Sequence, residues 1–240
     1  MKALAYNVAA LDKVLGLATQ VGDSYKPGNA SIERTALTAL LEESRKSITA
    51  VLKAEGDLAT AINQRQKAFD GLPLLGTHIM GIAVSGGMEE KDLSDLNRLR
   101  KRFRSNPFKT DLVHDAEEGS GSAPPNKVRM NRQLSFDNKV VTLESIIRFL
   151  EDKPAYNPTE SEFSIDGLKE TLSGLQAHNT AVIEAKFALS NIRGQAKAMI
   201  FGRQTGVFGK TRMTKVYLKT ILGRDTDLYR SINNVKLKSL

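Results

Sequence analysis

One stretch of sequence occurs twice in this chain of 240 residues. Tyr25-Lys26-Pro27 returns 131 positions later as Tyr156-Asn157-Pro158, and a long apolar stripe follows each turn. Before the turn the best match shifts to 132 positions, as a one-residue insertion in a surface turn would produce. A repeated apolar stripe predicts two copies of one folding unit. The matched pairs include Leu37 and Leu168, Leu41 and Leu172, Val51 and Val182, Ala54 and Ala185, Leu58 and Leu189, Leu11 and Leu143, and Val14 and Ile146.

Apolar residues recur at helical spacing along most of the chain. Steps of three and four residues from Leu37 to Phe69 form the heptad seam typical of coiled coils and helical bundles. Ser31 is predicted to cap this long helix, and evidence for strands is weak everywhere. The predicted helices span residues 2–20, 31–69, 74–84, 89–104, 137–151, 161–201 and 212–222, with short helical or irregular structure over 225–234.

These patterns predict an all-α protein made of two tandem, elongated helical bundles, each built from a short, a long and a short helix. The expected domains are an N-terminal bundle over 1–105 and its repeat over 136–240. Residues 106–135 are predicted to be a flexible linker, because they include the low-complexity run Gly-Ser-Gly-Ser-Ala-Pro-Pro over 119–125.

Composition excludes several classes of function. The chain has no cysteine, so it has no disulfide, thiol nucleophile or thiolate metal site. Its N-terminal apolar run is interrupted by Asn7, Asp12 and Lys13, so we expect no signal peptide. No segment has the roughly 18 unbroken apolar residues of a membrane span. We therefore expect a cytoplasmic protein that does not bind a membrane.

The formal net charge of +8 is unevenly distributed. From Arg193 to Leu240 there are 11 basic and 2 acidic residues, a net charge of +9 (11 minus 2). Residues three and four apart share one face of a helix. By this spacing two basic stripes are predicted, one formed by Arg98, Lys101 and Arg102 and the other by Arg212, Lys215 and Lys219.

Catalytic and metal-binding patterns are weak. The segment from Gly202 to Thr211 contains Gly-Lys-Thr, but Gln204 stands where a phosphate loop needs its first glycine, and a helix precedes it instead of a strand. It is predicted to be a loop between helices. The histidines His78, His114 and His178 have no partner at metal-ligand spacing. We predict no catalytic residue, no metal site, no cofactor and no small-molecule substrate.

The second half resembles a family of bacterial all-helical proteins without an assigned activity. The resemblance rests on Tyr156-Asn157-Pro158, on Leu189-Ser190-Asn191-Ile192-Arg193, and on the closing run from Lys215 to Gly223 followed by Tyr229-Arg230. Asp225-Thr226-Asp227 departs from the family, which usually has Ser-Pro there. The first half from Tyr6 to Phe69 is also similar to these proteins. The resemblance implies an all-helical fold and no particular function.

Two functions remain open from the sequence. The first is a non-catalytic structural or scaffold protein that binds a protein partner or assembles with itself through its long helices. The alternative is sequence-independent binding of DNA or RNA by the two basic stripes, through contacts with phosphates. Few aromatic residues lie near these stripes, so base stacking is not predicted.

Overall fold

A computed structural model describes residues 2–103 and 125–239, except for the side chains of residues 125–135. The described residues form eight α-helices and no strand, which confirms the all-α prediction. Short 3-10 turns at Ala30–Ile32 and Ser161–Phe163 precede the two longest helices. The helices are α1 (Lys2–Gln20), α2 (Arg34–Asp70), α3 (Leu72–Ser85), α4 (Glu90–Lys101), α5 (Pro125–Glu151), α6 (Ile165–Phe201), α7 (Val207–Ile221) and α8 (Asp227–Asn234).

The first helix has the predicted bounds, whereas the long helices begin later than the sequence indicates. Helix α2 starts at Arg34, and the capping role predicted for Ser31 is wrong. The side chain of Asn29 accepts hydrogen bonds from both the backbone N–H and the hydroxyl of Ser31, at 3.0 and 2.6 Å. Asn29 therefore caps a separate 3-10 turn, because its side chain binds the backbone two residues ahead.

The turns before the two long helices have the same internal hydrogen bond. The hydroxyl of Tyr25 donates to the backbone oxygen of Ile32 at 2.5 Å, and that of Tyr156 donates to the oxygen of Phe163 at 2.7 Å. Burial raises the pKa of Tyr156 to about 12 and also raises the pKa of Tyr25, so both hydroxyls remain protonated donors near neutral pH. Helices α2 and α6 then each run for 37 residues.

The chain divides into two compact units, and each unit takes segments from both halves of the sequence. Unit 1 comprises Met1–Ala59 and Ala185–Leu240, and unit 2 comprises Thr60–Glu184. The division falls inside both long helices, so α2 and α6 each contribute to both units. Unit 1 thus contains α1 and the start of α2, together with the end of α6, α7 and α8. Unit 2 contains α5 and the start of α6, together with the end of α2, α3 and α4.

Unit 1 has two clusters of buried residues. One joins α1 and α2 to the end of α6, with Leu11, Leu37 and Ile200 fully buried. The other joins α1, α7 and α8 around Val14, Leu218 and Ile232. The ring of Tyr25 packs edge-on against Tyr217 at 5.4 Å between centroids, which ties the turn before α2 to α7.

Unit 2 has one cluster, to which α3, α4 and α5 contribute together with the adjoining parts of α2 and α6. Leu143, Ile146 and Leu150 form the buried stripe of α5, as their spacing predicts. Phe69 at the end of α2 and Leu168 at the start of α6 complete this core. Helix α4 packs against both α3 and α5.

The expected domain boundaries differ from this division. The predicted domains 1–105 and 136–240 follow the order of the repeat, whereas the compact units group residues by contact. Of the predicted linker 106–135, residues 106–124 lie outside the described part of the chain. Residues 125–135 belong to α5, which begins at Pro125, where the fixed φ of proline suits the first turn of a helix.

The tyrosine hydrogen bonds give a test of the two turns. We expect Tyr25→Phe and Tyr156→Phe each to lower the free energy of unfolding by about 1 kcal/mol, because each leaves a backbone oxygen without its donor. Urea denaturation followed by circular dichroism measures the change. Tyr6→Phe is the control, since Tyr6 is exposed, and equal stabilities for all three variants would contradict this role.

Candidate functional site

The predicted basic stripe on α4 lies at the C-terminal end of a helix that begins with acidic residues. Arg98 is exposed and forms an ion pair with Asp95 at 3.5 Å. Lys101 is the last residue of α4, and Arg102 follows it directly. The first turn of the helix carries Glu90 and Asp92. Acidic residues at the start and basic residues at the end both interact favourably with the helix dipole. This charge pattern stabilises α4 without any ligand.

The predicted basic stripe on α7 has different surroundings. Helix α7 has no acidic residue along its 15 residues. Lys215 is partly buried, and its ammonium group donates to the backbone oxygen of Val235. Burial lowers the pKa of Lys215, and the neighbouring charge of Lys219 lowers it further. Lys219 donates to the side-chain oxygen of Asn233 at 2.6 Å. Lys219 therefore holds the last turn of α8, and Lys215 holds the chain that follows it.

This C-terminal segment, Asn233–Lys238, is also fastened to α1. The side-chain amide of Asn7 donates to the backbone oxygen of Lys238 at 2.8 Å, and its oxygen accepts from the backbone N–H of Lys238 at 3.0 Å. Asn7 is fully buried, and Val235 belongs to the core cluster shared by α1, α7 and α8. The segment is therefore part of the packed structure of unit 1.

An open groove of about 440 Å³ lies between α7 and the C-terminal segment. Four of its lining side chains are cationic: Arg212, Lys215, Lys219 and Lys236. The rest of the lining is Val216, Asn233, Val235 and Leu237, so the described residues place no carboxylate and no aromatic ring in it. We refer to it as the cationic groove.

The two predicted stripes belong to different parts of the fold. Arg98, Lys101 and Arg102 lie in unit 2, and the α7 residues lie in unit 1. At the sequence offset of 131 positions the two helices are not counterparts either. Helix α4 is the second helix after its long helix, whereas α7 is the first after α6. The α7 stripe lines a groove in which the described residues gather cations from two segments.

The glycine-rich segment before α7 has a packing explanation. Helix α7 begins at Val207, so Gly209, Lys210 and Thr211 lie in its first turns, close to the predicted loop and helix start. A Cβ atom on Gly209 would lie 2.1 Å from the backbone oxygen of Arg203. The hydroxyl of Thr211 is buried and donates to the oxygen of Val207 at 2.6 Å. Close backbone packing thus accounts for Gly209, and the intrahelical hydrogen bond of a buried hydroxyl accounts for Thr211.

Unit 2 contains a buried polar cluster that the sequence analysis missed. Arg65 is only 6% exposed, and its guanidinium lies 4.2 Å from the ring centre of Phe136. Burial lowers the pKa of Arg65, and the charge of Asp137 opposes this effect. Asn179 donates to Asp137 at 2.9 Å. Within the described residues, two guanidinium nitrogens of Arg65 and the amide oxygen of Asn179 lack a hydrogen-bond partner.

This polar cluster has no counterpart in unit 1. At the repeat spacing of 131 positions, Arg65 corresponds to Ala196 and Asn179 corresponds to Ile48. Ala196 and Ile48 both belong to the apolar core of unit 1. The two units therefore differ in chemistry at matching positions. Polar residues at otherwise apolar seam positions are the sequence signal for this cluster and for Asn7.

The described residues contain no group of three or more histidines and carboxylates able to hold a metal ion. His78 packs edge-on against Phe163 at 5.1 Å between ring centres. His178 is partly buried next to Asn179. His114 lies outside the described residues.

Helices α2 and α3 together, Arg34–Ser85, contain a stretch that is long and apolar enough to cross a membrane by length and composition alone, and 28% of that stretch is buried. Its most apolar part is α3, whose buried residues Leu72, Ile79 and Ala83 pack in the core of unit 2.

Comparison with protein-family models, with curated protein sequences and with solved structures finds no match to this chain.

The attachment of the C-terminal segment gives a prediction for Asn7. We expect Asn7→Ala to increase hydrogen exchange at the backbone amide of Lys238 by about fivefold or more, because that amide loses an acceptor worth roughly 1 kcal/mol or more. Exchange mass spectrometry of the C-terminal peptide measures it. Thr19→Ala, an exposed change on the same helix, is the control. Unchanged exchange in Asn7→Ala would show that other contacts hold the segment.

Proposed function

We propose that this chain is a non-catalytic interaction protein that uses its long helices to bind a protein, with a second copy of itself as the first partner to test. The observation that carries the proposal is a large aromatic side chain left in solvent, Phe187 on α6, which is 67% exposed. Ile183, one helical turn earlier on the same face of α6, is also exposed, at 36%, and contiguous exposed apolar surface is typical of sites that bind other proteins.

The repeat adds support to this proposal. Leu52 on α2 and Ile183 on α6 are 131 positions apart, and both are exposed apolar residues, at 54% and 36%. Solubility alone favours a polar residue at a position that faces solvent. An aliphatic side chain at such a position in both halves therefore supports a binding role.

We further propose that the two halves are copies of one ancestral helical unit, as in the bacterial all-helical family that the sequence resembles. The equal lengths of α2 and α6 and the matching hydrogen bonds of Tyr25 and Tyr156 support this proposal. The same proposal includes a cytoplasmic location and no cofactor.

Self-association is tested by light scattering after size exclusion at about 100 μM protein. We expect a mass above the 26.3 kDa of one chain for the wild type. Phe187→Glu should give a single chain, because a charge placed in an apolar contact is costly to bury. Phe187→Leu, which keeps the side chain apolar, should retain the larger mass. A wild-type mass of one chain across the concentration range would rule out self-association.

Sequence-independent binding of nucleic acid is the second candidate, and the distribution of charge favours it. The segments of unit 1 carry 19 basic and 9 acidic residues, a net charge of +10 (19 minus 9). Unit 2 carries 16 basic and 18 acidic residues, a net charge of −2 (16 minus 18). All of the excess positive charge therefore belongs to unit 1. Such a field attracts phosphate backbones.

Fluorescence anisotropy of a labelled duplex of random sequence, at 50 and 200 mM salt, tests this candidate. We expect affinity to fall steeply with salt because counterions are released from the duplex. Arg212→Glu in unit 1 should weaken binding several-fold, whereas Arg98→Glu in unit 2 should have little effect. Equal effects of the two substitutions would contradict a role for unit 1, and absence of binding at 50 mM salt would remove the candidate.

A further inference from the structure

The cationic groove differs from a flat basic surface in its shape and in its charge. Four positive charges line a single concave space, and the described residues supply no carboxylate to neutralise them. Lys215 and Lys219 are one helical turn apart, so their like charges repel. An anion in the groove would relieve this repulsion and would be held by all four side chains.

Two of the four cations are already fixed in position. Lys215 is held by the backbone oxygen of Val235, and Lys219 by the side-chain oxygen of Asn233. An ammonium group has three N–H donors, so each lysine retains two for a ligand. Because their side chains are ordered beforehand, less conformational entropy is lost on binding.

The other two cations are available for direct contact. Arg212 and Lys236 are exposed, and the described part of the chain gives neither a hydrogen-bond nor an ion-pair partner. The planar guanidinium of Arg212 suits two-point contact with oxyanions. Val216 and Leu237 contribute apolar surface beside these charges.

The shape and chemistry of the lining indicate which anion fits. About 440 Å³ is within the range of roughly 300–1,000 Å³ that is typical of small-molecule sites. The groove has four cations to match several negative charges, and its described lining has no aromatic ring on which a base could stack. A ligand with several adjacent phosphates satisfies these conditions better than a single carboxylate or a nucleobase.

We propose that the cationic groove binds a chain of phosphate groups, with Arg212 and Lys236 as direct ligands and with Lys215 and Lys219 positioned by the C-terminal segment. This site is independent of the protein-binding function proposed above. Its ligand is either a free polyphosphate or the backbone of a nucleic acid, which present the same chemistry to the groove.

Equilibrium dialysis of the full chain against sodium tripolyphosphate, in 50 mM sodium chloride, tests the site. We expect one tripolyphosphate to bind per chain. Arg212→Gln and Lys236→Gln should each weaken binding about tenfold, because each removes charge-assisted hydrogen bonds. Neither residue holds the C-terminal segment through a hydrogen bond, so circular dichroism should show unchanged helix content in both variants.

Arg224→Gln is the matched control. It removes the same charge from the same unit, but Arg224 lies between α7 and α8 and does not line the groove. We expect this variant to weaken binding by less than twofold. An effect equal to that of Arg212→Gln would mean that only the overall charge matters, and it would overturn the proposal, as would a lack of binding by the wild type.

Competition with the labelled duplex distinguishes the two sources of phosphate. Displacement of the duplex by tripolyphosphate, lost in Arg212→Gln, would assign the groove to a nucleic-acid backbone. Tripolyphosphate binding without duplex binding would assign it to a free polyphosphate and would remove the nucleic-acid candidate alone. If the duplex binds, but tripolyphosphate neither binds the chain nor displaces the duplex, the groove proposal is overturned and the nucleic-acid candidate is left intact.

Discussion

The packing of the two long helices determines most of this structure. Each of α2 and α6 is 37 residues long, and each supplies buried residues to both cores. Leu37 and Leu41 near the start of α2 pack in unit 1 with Ile200 near the end of α6, whereas Phe69 at the end of α2 packs in unit 2. Each core therefore needs residues from both halves of the sequence. The two halves are joined by buried surface as well as by the chain that connects them.

Because each unit takes residues from both halves of the sequence, the charges are also divided unevenly between the units. The basic C-terminal region joins the N-terminal segment, which is neutral overall, and the remaining residues form a slightly acidic unit. Within unit 1, hydrogen bonds from Asn7, Lys215 and Lys219 place the C-terminal segment beside α7. Lys236 is thereby brought to the same groove as Arg212, although 24 positions separate them in sequence. The packing that completes the core thus also gathers the cations.

Periodicity predicted the helices well because it depends on neighbours within one or two turns. The bounds of α1, the full length of α6 within a few residues, and the buried stripe of α5 at Leu143, Ile146 and Leu150 all follow from apolar spacing. Prediction was poorer where one local interaction competes with another. Ser31 has the chemistry of a helix cap, but Asn29 two residues earlier binds it in a separate turn. The start of α5 was missed because polar composition, without packing, does not distinguish a helix from a linker.

The candidate site was predicted in part. Helical spacing places Arg212, Lys215 and Lys219 on one face of α7, and the structure does the same. Spacing assigns the same form to Arg98, Lys101 and Arg102, which lie at the C-terminal end of a helix that begins with acidic residues. The sequence by itself determined the all-α class, the repeated turns and the excess of positive charge, because these depend on composition and local periodicity. Only the tertiary structure decided that the start of each long helix shares a core with the end of the other. It also decided that Lys215 and Lys219 bind the C-terminal segment and that Lys236 completes the groove. Those outcomes depend on contacts between residues far apart in the chain, where burial and hydrogen-bond geometry select the partner.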